Sequence, residues 1–281
     1  MTTLPLWDES YLPADRLRAE CEAMTRAILD EIIANLGADE IISAYAHGSS
    51  TKAWDSPIDY VPELSDLDIH FYLRNPELVS GDVTRAFAIQ AGYERRFAEA
   101  CPKALHLPRP QIMVINEHIT GANWFGPPPG ASISLFGVRS EAIRPTQTPE
   151  GVRAADIASL RDPATTTFLQ QLPLWAIDRP GRYLWQVLTA LVWRVGPTVP
   201  RVLTVHGVEY ALAWGSNRTR LVAHLEDAGE AELAEAFAGF YLAGWEFFLS
   251  GHRDGVPARA AIGHAIRVLT IGHERGMAAR V

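Results

Sequence analysis

Apolar residues in the first part of the chain change from helical to strand-like spacing. Between residues 13 and 36 they recur every three or four positions, as at Leu17, Met24 and Ile28, which predicts an amphipathic helix. Residues 41–46, Ile-Ile-Ser-Ala-Tyr-Ala, form a short and mostly apolar run that is typical of a buried strand. Because a helix before a strand packs on the sheet, we expect the apolar stripe of this helix to belong to the core.

Two further strands and a helix follow from the same patterns. Residues 66–71 alternate between polar and apolar, which predicts a strand with two different faces. A helix is predicted over 82–100 and a strand over 111–116. Three aromatic residues of this helix are expected in the core: Phe87, Tyr93 and Phe97. The order of strand, strand, helix and strand predicts a small mixed sheet with flanking helices.

The second half of the chain has a helical pattern. Residues 121–150 are rich in glycine and proline, which indicates a linker or a lid loop. Beyond them, prolines separate six predicted helices, at 151–160, 164–177, 181–195, 217–228, 230–250 and 257–275. The sequence therefore predicts an α+β fold with two domains, residues 1–145 with the sheet and residues 146–281 as an all-helical bundle.

Candidate chemistry is concentrated at the ends of the first two strands. The first strand ends in Gly48-Ser49, where a glycine permits close approach and serine adds hydroxyl and amide donors, as an anion requires. On the second strand, period two places Asp66 and Asp68 on one face, roughly 7 Å apart. Two carboxylates on one face repel each other unless a cation lies between them, and Mg²⁺ suits such a site.

These residues resemble the signature of the nucleotidyltransferase superfamily, which includes DNA polymerase beta and the antibiotic-modifying adenylyltransferases. Its signature is a Gly-Ser after one strand and an Asp-x-Asp on the next, matched here by Gly48-Ser49 and Asp66-Leu67-Asp68. The resemblance covers residues 40–120 and implies the nucleotidyltransferase fold. It implies that Asp66 and Asp68 are catalytic and bind Mg²⁺, and that Gly48 and Ser49 bind the triphosphate of ATP or another NTP.

Two departures from the family pattern matter. The gap between Ser49 and Asp66 is longer than usual, and we interpret the insertion as a loop over the site. The family also carries a third carboxylate on a later strand. In the register that best matches the aminoglycoside adenylyltransferases, Gln111 takes that position. Glu117, at the other end of the strand, serves as the third catalytic acid only if the register differs.

Three further residues are candidates for nucleotide binding. Ser50 and Lys52 follow the glycine turn and are expected near the β- and γ-phosphates. Arg218, in Gly215-Ser216-Asn217-Arg218, has two interpretations. The segment is a junction between two helices, or its arginine faces the cleft and binds phosphate oxygens.

Composition narrows the choice of partners. The chain has 281 residues, 48 % of them hydrophobic and 21 % charged, which is ordinary for a globular protein. A net charge of −8 argues against a nucleic-acid partner. No apolar run of membrane-spanning length and no leader-like N-terminus is present, so we expect a cytoplasmic protein without a membrane partner.

The leading hypothesis is a Mg²⁺-dependent nucleotidyltransferase. It moves a nucleoside monophosphate from ATP or another NTP to a hydroxyl of a small acceptor, in a cleft between the sheet and the helical domain. An aminoglycoside-like acceptor is favoured because an acidic chain suits a cationic molecule. The alternative, motivated by Gln111, is a catalytically impaired nucleotide-binding or regulatory module. An antitoxin-like member of the superfamily ranks last, because such chains are short. Acceptor, base preference and oligomeric state stay open.

Overall fold

The computed structural model describes residues 2–119, 125–143 and 147–280 and divides the chain into two compact units. The sheet unit consists of Asp8–Lys52 and Ser65–Thr146. The helical unit consists of Met1–Trp7, Ala53–Leu64 and Gln147–Val281. The predicted domain boundary between residues 145 and 146 lies outside the described residues.

The sheet unit has four strands with helices beside them. Its elements in chain order are α1 (Ala14–Leu36), β1 (Ile41–His47), β2 (Asp66–Leu73), α2 (Glu77–Ser80), α3 (Val83–Ala100), β3 (Arg109–Val114), α4 (Asn116–Ile119), β4 (Ser132–Gly137) and α5 (Ser140–Ile143). The strand order is β3-β2-β1-β4. β1 is antiparallel to both β2 and β4, whereas β2 and β3 are parallel. The predicted α+β class with a small mixed sheet is confirmed.

The core of this unit follows the predicted alternation. On β2, Leu67, Ile69 and Phe71 are each no more than 1 % exposed, whereas Asp66 and Asp68 on the opposite face are half-buried. The predicted stripe of α1 is also buried, and α1 contacts both α3 and β2. One face of the sheet is therefore apolar and covered, and the other face is polar.

Two predictions for the sheet unit are wrong in part. The segment 121–150 is not only a linker or lid, because it contains β4, which pairs along β1. The alternation of Ile133 and Leu135 with serines is a strand signal that the flanking glycines and prolines obscured. β3 also begins earlier than predicted and passes through Pro110, which an edge strand tolerates.

The aromatic residues of α3 are only partly in the core. Phe97 is buried, Tyr93 is half-buried, and Phe87 is 64 % exposed, so the prediction for Phe87 is wrong. The buried positions of α3 are Ile89, Gly92 and Phe97. Position 92 has room only for glycine, because the carboxyl group of Glu31 on α1 lies where a Cβ would be.

Helices build the second unit. They are α6 (Pro149–Leu160), α7 (Pro163–Ile177), α8 (Leu184–Val205), α9 (Tyr210–Gly215), α10 (Arg218–Asp227), α11 (Ala231–Leu249) and α12 (Gly255–Ala278). α12 packs against both α11 and α8. Within the described part of the chain, no helix is both long and apolar enough to cross a membrane.

The helix predicted at 181–195 is longer than expected. α8 continues through Pro197 and Pro200, where the sequence predicted a break. A proline inside a helix costs about 3 kcal/mol, because it removes a hydrogen bond and its ring meets the preceding turn. Val195, Val199 and Leu203 are fully buried before, between and after these prolines. Burial along this face of α8 opposes the local cost of each proline.

The inserted segment Ala53–Leu64 belongs to the helical unit. It forms a short 3₁₀ turn at Pro57–Asp59, and Trp245 of α11 donates from Nε1 to the carbonyls of Pro57 (2.7 Å) and Tyr60 (3.1 Å). Asp59 anchors the turn. Its carboxylate accepts hydrogen bonds from the amides of Asp55 and Ser56 and from the amide and hydroxyl of Thr219.

Replacement of Asp59 tests this anchor. Asp59 is 1 % exposed, so Asp59→Ala leaves four donors without their acceptor, and we expect a loss of about 3 kcal/mol in the free energy of unfolding. The exposed Asp227→Ala in the same unit should change it by less than about 0.5 kcal/mol. Urea unfolding followed by tryptophan fluorescence measures both. Equal losses in the two variants would contradict the anchoring role.

Candidate functional site

The polar face of the sheet gathers charged side chains from β2 and β3. Asp66 and Asp68 lie on β2, and the parallel register places Arg109 opposite Asp66 and Gln111 opposite Asp68. All four side chains are half-buried. The predicted common face of the two aspartates is present, and the structure brings Gln111 to them.

Gln111 contacts both carboxylates. With its amide turned so that Nε2 faces them, it donates to Asp66 Oδ2 (2.8 Å) and Asp68 Oδ1 (3.2 Å). Turned the other way, Oε1 faces only acceptors, and three oxygens converge without a proton between them. The amide therefore satisfies the pair as a donor, or it becomes a third oxygen around a cation.

Arg109 brings a positive charge directly against the pair. Its guanidinium donates to Asp66 Oδ2 at 3.0 Å, and the two side chains are 21 % and 14 % exposed. Partial burial reduces solvent screening, so this contact is stronger than an ordinary surface ion pair. Asp66 is thus held by a built-in cation.

Gly48 brings the backbone of the predicted phosphate turn directly against Asp68. Its φ is +84°, and a Cβ built on it would lie 2.0 Å from Asp68 Oδ2. Only glycine combines this backbone conformation with so close an approach. The requirement for glycine at position 48 therefore comes from the carboxylate as well as from the turn.

The other predicted turn residues follow at once. Ser49–Thr51 forms a short 3₁₀ turn in which Thr51 donates from its amide and its hydroxyl to the Gly48 carbonyl. The side chains of Ser49, Ser50 and Lys52 are half-buried. The turn stays within the sheet unit, where Arg18 of α1 donates to the Lys52 carbonyl.

Two histidines extend the polar face along the sheet. His47, opposite Asp68 on β1, has its Nε2 3.1 Å from Nε2 of His70, and His70 Nδ1 is 2.9 Å from the hydroxyl of Tyr45. Burial lowers the pKa of His70 to about 4. Burial, reinforced by repulsion from His70 and Lys52, lowers the pKa of His47 well below its usual value. Both rings are neutral near pH 7, so they add no charge beside the carboxylates.

Two predicted site residues lie elsewhere. Glu117 is exposed on α4, beyond the far end of β3, and the structure does not bring it to Asp66 and Asp68. Arg218 lies in the helical unit at the start of α10. Its guanidinium donates to the carbonyls of Ile58 and Asp59 and covers the Tyr241 ring at 3.8 Å. Of the two interpretations for this segment, a helix junction matches these contacts.

The sequence interpretation assigned no role to Arg109 or to the two histidines. The alternation that places Asp66 and Asp68 on one face of the strand also places His70 there. Arg109 gave no such signal, because it lies between two prolines and its partner depends on the register of β3.

Comparison of the chain with known proteins identifies no family for it. No protein-family model matches the chain, and no curated protein matches it. Among the described residues, no group of three or more histidine, cysteine, aspartate or glutamate side chains is arranged to hold a metal ion. The site is thus a carboxylate pair completed by an amide and a guanidinium.

The contact between Gly48 and Asp68 is open to a direct test. Gly37 has nearly the same φ, +88°, but nothing lies within 4 Å of its Cβ position. Gly37→Ala should therefore lose only the cost of the backbone conformation, about 1–3 kcal/mol. Gly48→Ala should lose more, because it also displaces the Asp68 carboxylate.

A double-mutant cycle separates the two costs of Gly48→Ala. In an Asp68→Ala background, Gly48→Ala should be no more destabilising than Gly37→Ala, as measured by the free energy of unfolding in urea. An equal loss for Gly48→Ala in both backgrounds would show that Asp68 does not cause the requirement.

Proposed function

We propose that the protein is a Mg²⁺-dependent nucleotidyltransferase of the nucleotidyltransferase superfamily. It transfers a nucleoside monophosphate from ATP or another NTP to a hydroxyl group of a small acceptor. The observation that carries the proposal is the contact between the Gly48 turn and the Asp66/Asp68 pair on the adjacent strand. It joins an anion-binding turn to a cation-binding pair within one face of the sheet.

The residues on this face fit a magnesium ion. Asp66 and Asp68 supply two carboxylates, and the Gln111 amide supplies a neutral oxygen in one of its two orientations. Mg²⁺ commonly binds one or two protein carboxylates together with substrate phosphates, so a third carboxylate is not needed for binding. When bound, Mg²⁺ neutralises the charge that develops on the phosphate oxygens.

The turn after β1 provides the phosphate contacts in this proposal. Gly48 sets its backbone directly against Asp68, and Ser49, Ser50 and Lys52 follow with amide, hydroxyl and ammonium donors. The acceptor oxygen forms a bond to the α-phosphorus while the bond from that phosphorus to the β-phosphate oxygen breaks. Pyrophosphate leaves, and the proton of the acceptor hydroxyl goes to solvent.

Gln111 limits the rate that this site supports. A neutral amide does not accept a proton, and a missing general base costs roughly 10²–10⁴-fold in rate. Positioning and charge stabilisation supply the rest of the catalysis. We therefore propose a slow enzyme, and the net charge of −8 favours a cationic, hydroxylated acceptor such as an aminoglycoside-like molecule.

The same glutamine favours a second candidate function. A site that binds the metal and the nucleotide without transfer would serve a nucleotide-binding or regulatory module. It requires the same contacts around Asp66, Asp68 and Gly48, so the two functions differ only in turnover.

Removal of either carboxylate tests the site as a whole. Asp66→Asn and Asp68→Asn should each weaken Mg²⁺-dependent ATP binding by at least about 10-fold, because each removes a charged ligand. Asp30→Asn, on the exposed side of α1, removes the same charge and should leave binding unchanged. Isothermal titration calorimetry with Mg²⁺-ATP measures all three. Wild-type affinity in both site variants would refute the proposal.

Gln111→Glu distinguishes the enzyme from the binding module. A carboxylate at position 111 supplies a base and a third acidic ligand, so it should raise pyrophosphate release by about 10²-fold with a suitable hydroxylated acceptor. Without divalent cations it should lower the free energy of unfolding, because three carboxylates then repel one another.

Gln90→Glu is the matched control. It adds the same charge at an exposed position of α3 and should change neither turnover nor stability. If Gln111→Glu gives no turnover across a panel of NTPs and acceptors, while it still binds Mg²⁺-ATP, the binding module is the correct function.

A further inference from the structure

We infer that Arg109 is a tethered cation that occupies Asp66 until a divalent metal ion replaces it, and that its released guanidinium then binds a phosphate of the nucleotide. The inference rests on the proposed function, because it needs a metal ion and a triphosphate at this site. It assigns a role to a residue that the nucleotidyltransferase resemblance does not include.

One carboxylate oxygen of Asp66 already has two hydrogen-bond donors. Asp66 Oδ2 accepts from the Arg109 guanidinium at 3.0 Å and, in its donating orientation, from Gln111 Nε2 at 2.8 Å. A carboxylate oxygen has two lone pairs, so these two donors saturate it. A metal ion that uses this oxygen must displace at least one of the donors.

Gln111 can stop donating to Asp66 without moving away from it. Rotation of its amide replaces the donating nitrogen by an oxygen that faces Asp66 and Asp68. Arg109 has no such option, because a guanidinium carries donors only. While the guanidinium stays on Asp66, its positive charge also opposes a divalent ion at the same carboxylate, so we expect the arginine side chain to move when the metal ion binds.

The charges on this face are consistent with an exchange of cations. Asp66 and Asp68 carry two negative charges, and the guanidinium of Arg109 brings a positive charge to within 3.0 Å of Asp66 Oδ2. If Arg109 stays on Asp66, it repels an incoming divalent ion. Its departure restores the full negative charge that attracts the ion.

The backbone around Arg109 determines how it moves. Pro108 and Pro110 flank it and restrict the backbone on both sides, and it is the first residue of β3. Release therefore occurs by rotation of the long side chain about a fixed Cα. A guanidinium swung away from Asp66 remains within reach of the same face, and its planar set of donors suits phosphate oxygens.

The experiment measures metal binding and nucleotide binding separately. Mn²⁺ replaces Mg²⁺, and the electron paramagnetic resonance signal of free Mn²⁺ reports its affinity in the absence of nucleotide. α,β-Methylene-ATP, in which the bond that transfer breaks is blocked, reports nucleotide affinity at saturating Mg²⁺ by calorimetry. The variants are Arg109→Gln, Arg109→Lys and, as a matched control on exposed α3, Arg95→Gln.

We expect opposite changes for Arg109→Gln in the two measurements. Mn²⁺ should bind about 5- to 30-fold tighter, because the competing charged hydrogen bond is gone. α,β-Methylene-ATP should bind about 10-fold weaker, because a phosphate contact is lost. Arg109→Lys keeps the charge and should lie between wild type and Arg109→Gln. Arg95→Gln should change neither affinity.

The remaining outcomes separate failure of this inference from failure of the proposed function. Mn²⁺ binding to Arg109→Gln but not to wild type supports the inference. If wild type binds Mn²⁺ and Arg109→Gln binds it equally or more weakly, Arg109 does not compete and only the inference fails. If Arg95→Gln gains as much Mn²⁺ affinity as Arg109→Gln, the inference also fails. If Arg109→Gln binds α,β-methylene-ATP as tightly as wild type, Arg109 does not contact the phosphate. If neither wild type nor Arg109→Gln binds Mn²⁺ alone while both bind α,β-methylene-ATP at saturating Mg²⁺, only the inference fails. If neither binds the nucleotide analogue either, while both are folded by circular dichroism, the proposed function fails as well.

Discussion

Repulsion between two carboxylates on one strand face is the constraint on which the rest of the site depends. Asp66 and Asp68 share the polar face of β2 and are only partly exposed, so solvent alone does not separate their charges. Arg109 offsets the charge of Asp66, and the amide of Gln111 contacts both carboxylates. A sheet unit that only had to fold would avoid this conflict with neutral residues. This conflict is the physical basis of the proposed cation site.

The same strand connects this constraint to the fold. Leu67, Ile69 and Phe71 alternate with the polar residues and are fully buried, so a slip of one residue would expose the core and bury the carboxylates. The apolar face thus fixes the register that places Gln111 beside Asp68. Gly48 closes the arrangement from the other side, because its missing side chain leaves room for the Asp68 carboxylate. The period-two pattern of β2 therefore determines both the packing of the core and the geometry of the site.

What the sequence predicted follows from how local each signal is. The α1 stripe and the two faces of β2 depend on spacing within one element, and both are confirmed. β4 and the path of α8 through Pro197 depend on partners distant in the chain, so local glycine and proline signals gave wrong boundaries. Among the site residues, the common face of Asp66 and Asp68 was predictable. The contact with Arg109 was not, because it exists only through the parallel pairing of β2 and β3.

With a glutamine and an arginine in place of a third carboxylate, metal binding at the proposed site depends more strongly on the nucleotide. Three carboxylates would attract a divalent ion without help, whereas here a neutral amide takes the third position and Arg109 offsets the charge of Asp66. A weakly attracted ion gains most when triphosphate oxygens complete its coordination, so in the proposed site the ion and the nucleotide bind together. The arginine that yields to the ion would then neutralise part of the charge that arrives with the phosphates. Coupled binding of this kind is as useful to a sensor of nucleotide as to a slow enzyme. The choice between them therefore depends on proton transfer at position 111 rather than on binding.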